Sequence, residues 1–169
     1  MAVITEFLTV NIAVDSLAST APKYEAIGLT SLPAAAWPEP PIQMTDVTFE
    51  VPPSSALSLI EPWEGGGPVG RFIARRGPGV YSIAVRVDDL EEAMREWREH
   101  GLDWVLDEPA DVPEGRAARY AADRVTVNWV TPRSFGGVLL EVFELRGDVW
   151  LYGRDDAGTR TTVGGSDRC

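Results

Sequence analysis

The sequence has few of the residues that most readily build a chemical centre. Among 169 residues there is one cysteine, Cys169, and one histidine, His100. A single thiol excludes an intrachain disulfide framework and a thiolate metal site. A single imidazole excludes a multi-histidine metal centre, and a Ser–His–Asp triad anywhere except around His100. His100 falls at a predicted helix end, where it serves the helix dipole and solvent. Cations are also scarce: 15 Lys and Arg stand against 26 Asp and Glu, a formal net charge of −11. That balance excludes the basic face needed by a nucleic-acid or anionic-membrane partner. No apolar run reaches 18 residues, and the N-terminus has neither a basic segment nor a long apolar one. The expectation is a cytoplasmic protein with no membrane partner.

What is present is ordinary for a globular chain. Apolar residues make up 44%, and the length suits one large domain or two small modules burying roughly 70% of the unfolded surface. Phe7 to Val14 reads as a strand. Leu17, Ala21 and Tyr24 follow at helical spacing with Gly28 as a stop. Pro22 makes the regular part of this helix begin late, with Ser19 or Thr20 as cap. Ser31 to Pro41 reads as an irregular or edge segment. Thr45 to Val51 and Ala56 to Ile60 read as strands separated by Pro52-Pro53. Glu61 to Gly67 is a glycine-rich connector, and Pro68 to Arg76 a short helix.

The pattern then restarts. Val80 to Val87 is a strand. Asp88 or Asp89 caps the clearest helix, with Glu91 or Glu92 placed for a capping box and Glu91–Arg95 for an i,i+4 pair. Leu90, Met94 and Trp97 form its stripe, and Gly101 ends it. Further strands are expected near Asp103 to Leu106, Ala117 to Ala121, Val125 to Thr131 and Val138 to Leu145. Trp63, Trp104, Trp129 and Trp150 read as core or interface residues, and Asp155 to Cys169 as a polar, mobile tail.

The two halves match. Asn11-Ile12-Ala13-Val14 parallels Ser82-Ile83-Ala84-Val85. Leu17, Ala21, Tyr24, Gly28 and Leu29 parallel Leu90, Met94, Trp97, Gly101 and Leu102 at a constant offset, and Ser58-Leu59-Ile60-Glu61 parallels Glu141-Val142-Phe143-Glu144. A unit of strand, helix and three strands is written twice. The expected class is therefore α+β, two βαβββ modules forming curved sheets around a shared cleft. Module one is 1–62, the connector 63–79 and module two 80–145, with 146–169 as a C-terminal extension.

Glu141 is the residue that needs explaining. It interrupts the apolar run Val138 to Phe143, which follows the turn Pro132 to Gly137. A carboxylate in a core strand loses its hydration unless a partner replaces it. Either Glu141 pairs with a buried Arg or reaches solvent, or it lines a polar pocket and works on a ligand.

Leu59-Ile60-Glu61-Pro62, Pro68 to Gly77, Gly79 to Leu90 and Pro132 to Glu141 carry a family resemblance. The sequence resembles the vicinal oxygen chelate superfamily of glyoxalases, bleomycin-resistance proteins and dioxygenases, and within it methylmalonyl-CoA epimerase. The resemblance implies four divalent-metal ligands, two from each module, at Asn11, Ser58, Ser82 and Glu141. Only Glu141 is a usual ligand there; neutral amide and hydroxyl oxygens suit transition metals poorly. The reading therefore expects no metal and no cofactor. Instead, Glu141 with Asn11, Ser82 and Ser58 forms a catalytic acid/base pocket. Arg133, Ser134, Tyr81, Asn128 and Trp129 are candidates for binding substrate, with Trp129 or Asn128 facing Glu141. The function implied is a metal-independent isomerase, lyase or cyclase acting on a small carbonyl metabolite or acyl thioester. The alternative is a non-catalytic small-molecule binder of the bleomycin-resistance type. A homodimer is expected from the same resemblance.

Overall fold

The computed structural model describes residues 1–38, 42–64 and 66–152; the expected tail from Asp155 lies outside them. The described residues form ten strands and three helices. The first half contains β1 (Ile4–Ala13), α1 (Leu17–Ala26), β2 (Thr30–Ser31), β3 (Ala35–Trp37), β4 (Met44–Val51) and β5 (Ser55–Pro62). Helix α2 (Gly67–Arg76) connects it to β6 (Gly79–Val87), α3 (Leu90–Glu99), β7 (Ala110–Asp111), β8 (Arg116–Ala117), β9 (Tyr120–Val130) and β10 (Leu139–Leu151).

The sheet order is β2-β4-β5-β1-β6-β10-β9-β7. Each half places its first strand beside its last, in parallel, with the preceding strand antiparallel outside it. The halves meet through the antiparallel pair of β1 and β6, which sets Asn11 opposite Ser82. The duplicated pattern thus becomes one curved sheet.

The helices repeat the duplication in detail. Ser16 caps α1 by accepting the Ser19 N–H, and Asp89 caps α3 by accepting the Glu92 N–H. Both helices end on a glycine with positive φ, Gly28 at +94° and Gly101 at +81°. Leu29 N–H returns to Tyr24 C=O and Leu102 N–H to Trp97 C=O, the closure that a left-handed glycine permits. Leu90, Ala93 and Met94 of α3 pack against Val85, Val87, Val130, Leu140 and Val142. Leu17, Ala21 and Tyr24 of α1 pack against Val14, Phe49 and Leu59.

Several local expectations are corrected. Helix α1 starts at Ser16 rather than Ser19 or Thr20, and Pro22 sits inside it on an exposed face, where tertiary packing of Leu17 and Tyr24 outweighs the lost hydrogen bond. The Glu92 carboxylate does not close a capping box; it pairs with Arg95, taking the place of the expected Glu91–Arg95 pair. Residues 103–106 are not a strand, and only Trp104 bridges to Val130. The Asn128 side chain occupies the ladder there, bonding both the N–H and the C=O of Leu106. Strand β9 begins at Tyr120, and β10 runs on to Leu151, carrying regular structure past residue 145.

Candidate active site

Gly136 and Gly137 adopt φ of +61° and +89°, and Gly137 N–H bonds Pro132 C=O at 2.7 Å. This turn feeds β10 into the sheet between β6 and β9. Leu140 and Val142 then point into the core against α3, and the period of two turns Leu139, Glu141 and Phe143 toward the opposite face. There they line a cavity of about 800 Å³ built from both halves, with Asn11, Asp46 and Ser58 from the first and Arg116, Trp129 and Glu141 from the second.

Glu141 is held by a directed chain. Asn11 Nδ2 donates to Ser82 Oγ at 2.9 Å, and Ser82 Oγ donates to Glu141 Oε1 at 2.8 Å. Trp129, its partner across the β9–β10 ladder, also reaches the carboxylate through its side chain. No Lys or Arg among the described residues lies within ion-pair distance of Glu141, which removes the buried ion pair as its explanation. Burial pushes its carboxyl up to about 7, against the opposing pull of the Ser82, Trp129 and Asn11 hydrogen bonds. Tyr81 lines the same cavity. Burial, with the nearby Glu141 charge, pushes its phenol up to about 12.

Ser58 belongs to a second group. Its hydroxyl bonds Thr48 at 2.9 Å and Thr9 at 3.2 Å. Thr48 donates to Asp46 at 3.2 Å, and Trp37 Nε1 donates to the other Asp46 oxygen at 2.6 Å. Asp46 is buried, and desolvation raises its carboxyl above the usual range, against the pull of Trp37, Arg116 and Thr48. Arg116, on β8, stands 4.0 Å from Asp46. Asp46, Thr48 and Arg116 escape a reading of the sequence. In β4, Val47 and Phe49 are legible as the buried face, and the alternate Asp46 and Thr48 then look solvated. Sheet curvature covers them.

Three predicted ligand residues lie elsewhere. Asn128 is fully buried and its amide is spent on Leu106, the Trp129 N–H and Met94. Opposite Val142 in the ladder, it faces the α3 side. Ser134 ties its turn together, accepting from Asp103 N–H at 2.9 Å and contacting Thr131. Arg133 is exposed in that turn and outside the cavity lining. An adjoining groove of about 380 Å³ carries Arg71, Arg75 and Arg76 instead, and shares Arg71 and Tyr81 with the main cavity.

The sequence signature of the glyoxalase/bleomycin resistance protein/dioxygenase superfamily matches residues 9–122. The chain belongs to that superfamily. The chain is similar to the uncharacterized protein YqjC of Bacillus subtilis (strain 168), 29% identical over 106 residues, which span 63% of this chain and 69% of that protein. Among solved structures, the hypothetical protein BH1468 from Bacillus halodurans C-125 is 29% identical with a TM-score of 0.72, covering 84% of this chain and 95% of that one. Methylmalonyl-CoA epimerase from Mycobacterium tuberculosis superposes with a TM-score of 0.71 at 24% identity, over 85% and 90% of the two chains. The Streptomyces coelicolor methylmalonyl-CoA epimerase in complex with 2-nitronate-propionyl-CoA gives 0.72 at 22% identity, over 86% and 100%. Likeness at that identity establishes the superfamily fold.

The divalent metal implied by the resemblance does not suit these side chains. One carboxylate stands with an amide whose N–H donates and a hydroxyl whose proton is committed to Glu141. Among the described residues no group of three His, Cys, Asp or Glu converges as a ligand set. Neutral donors of this kind hold Co, Zn or Mn weakly.

Proposed function

We propose that the protein is a metal-independent isomerase, lyase or cyclase that uses Glu141 as an acid/base group on a small carbonyl substrate, acyl thioesters included. The reading rests on one observation: a buried carboxyl held by Ser82, with no Lys or Arg among the described residues in ion-pair contact, on the wall of a ligand-sized cavity, where burial pushes it up to about 7. Such a group is poised to move protons at neutral pH.

Ionised Glu141 takes the proton from the carbon next to the substrate carbonyl, and charge develops on the carbonyl oxygen. Neutral donors stabilise that charge once the ligand has displaced water from around it. Tyr81 is one, since its phenol keeps its proton throughout this pH range. Asp46, whose carboxyl burial raises above its usual range, stands in the other half of the cavity. Delivery of a proton to the other face of that carbon, or to another carbon, completes an isomerisation, whereas loss of a leaving group completes a lyase reaction.

The test is hydrogen exchange in D₂O, followed by NMR, with methylmalonyl-CoA and related acyl thioesters. The protein is expected to catalyse exchange next to the carbonyl, in the presence of chelator as well. Glu141→Gln should lower the rate by roughly 10²–10⁴-fold while changing ligand affinity little. Binding without exchange across the series would favour sequestration of a ligand, the reading supported by the apolar part of the cavity wall, which includes Ile60, Val69, Val105 and Leu106. A homodimer, expected from the resemblance, belongs to the same proposal and is checked by analytical ultracentrifugation.

A further inference from the structure

Helix α2 carries cations that the acid/base reading leaves unused. The chain has only 15 Lys and Arg against 26 Asp and Glu. Yet Arg71, Arg75 and Arg76 stand exposed on one groove whose lining includes no acid. None of the three forms an ion pair or donates a hydrogen bond to a described residue. Arg76 lies over the Phe72 ring, 5.9 Å from its centroid. The helix dipole accounts for Arg75 and Arg76, which sit in the last turn. It does not account for Arg71 or for what surrounds the three.

The groove, of about 380 Å³, runs between α2 and the adjoining parts of β6 and β10. Its walls include bare β-branched residues, Val80 at 59% exposure and Val138 at 37%. Cations beside uncovered apolar surface suit an amphipathic partner. The backbone adds a second feature. Strand β10 pairs with β6 only from Ser82 onward, while Gly79 and Val80 pair with β1 on the opposite side. Among the described residues, the groove-side edge of β6 ahead of Ser82 is therefore open. An open edge offers main-chain N–H and C=O groups to an added strand. The turn leading into β10 has none to spare at this point. Gly137 N–H bonds Pro132 C=O, and Val138 N–H bonds Phe135 C=O. The turn thus lacks the convergent N–H cradle that favours a phosphate.

We propose that this groove docks an extended acidic segment of a partner protein, which adds to the open edge of β6 and sets its carboxylates against Arg71, Arg75 and Arg76. A guanidinium matches a carboxylate two N–H···O bonds at a time. In a strand the side chains alternate, so apolar residues between the acids cover Val80 and Val138. The groove shares Arg71 and Tyr81 with the main cavity, and the docked segment lies against the cavity wall. The inference stands apart from the reaction proposed for Glu141.

The probe is a blocked, fluorescently labelled octapeptide of alternating Glu and Val, followed by anisotropy at low and at high ionic strength. It should bind at least about tenfold more tightly than the same peptide with Gln in place of Glu, and should weaken as salt is raised. N-methylation of alternate residues is made in both registers. One register should weaken binding by about tenfold, because only one row of N–H groups meets β6. Arg75→Gln combined with Arg76→Gln should bring the acidic peptide down to the level of the Gln peptide. Glu141→Gln should bind it as the parent does, so the catalytic reading can fail without this one. Equal binding of the Glu and Gln peptides overturns the proposal. So does full affinity in both N-methylated registers, or unchanged binding by the folded double variant. Inorganic pyrophosphate binding more tightly than the acidic peptide overturns it as well.

Discussion

Glu141 connects stability to activity with opposite signs. Its folded-state pKa of about 7 lies above its ordinary 4.5, so the folded protein holds this proton more tightly than the unfolded chain does. The resulting contribution is fully present below about pH 4.5 and is lost as pH rises through about 7. The shift corresponds to at most about 3 kcal/mol. Glu141→Gln removes the charged form, so its stability should match the parent near pH 4 and exceed it by up to about 3 kcal/mol at pH 8. Urea unfolding of both proteins at the two pH values measures this, and a difference that does not grow with pH contradicts the desolvated carboxylate. Activity should run the other way, rising through about pH 7 as Glu141 becomes a base. Asn128 gives a structural contrast. Asn128→Ala strands the backbone N–H and C=O of Leu106 and removes an acceptor from the Trp129 N–H, so it should destabilise the fold by about 3 kcal/mol while leaving the hydrogen-exchange activity of the folded fraction within twofold or so of the parent.

At the scale of elements, the two equivalent helices differ in what anchors them. Helix α3 buries Leu90, Ala93 and Met94, whereas no residue of α1 is fully buried and Pro22 interrupts its ladder. Local opening costs less where few apolar contacts are lost. Amide hydrogen exchange should therefore be faster in α1 than in α3; equal protection would mean that the cap and the Leu17–Tyr24 stripe hold α1 better than their burial indicates. Gly28 and Gly101 share one cap geometry, and an alanine in the left-handed region costs about 1–2 kcal/mol. Gly101→Ala should lower global stability by about that amount, because α3 opens only with the core. In Gly28→Ala the strain is relieved by fraying of α1, so the change in urea midpoint should be smaller.

At the scale of the whole molecule, the site exists because two modules share one sheet. The β1–β6 pair puts Asn11 opposite Ser82, and β10 then brings Glu141 to Ser82. The combined variant Asn11→His, Ser58→Gln, Ser82→His places imidazoles on both first strands and a longer amide on β5. It should gain divalent-metal binding that the parent lacks, read from the visible spectrum of added Co(II) or by titration calorimetry. A folded triple variant that binds Co(II) no better than the parent would show that the four positions do not converge. Chelator should leave the parent's unfolding curve unchanged.

The duplicated strands and helices, the glycine stops at Gly28 and Gly101 and the superfamily fold were legible in the sequence, because each follows from local periodicity and from side-chain types that tolerate only certain backbone angles. So was the oddity of Glu141, a carboxylate in an apolar strand. Other features had no local signature. Whether Glu141 met a cation or a hydroxyl depended on strands 59 residues apart in the chain, as its bond to Ser82 is. Asn128 reads like any polar residue beside a strand partner, and only the gap in the ladder at Leu106 gives its amide a structural task. Asp46 and Arg116 alternate with apolar neighbours or sit near a turn, as solvated residues do. Curvature of the common sheet, the Trp37 and Tyr152 rings and the opposing half of the cavity bury them. Periodicity assigns a side chain to a face; which face is closed over, and by what, is decided by packing between distant segments.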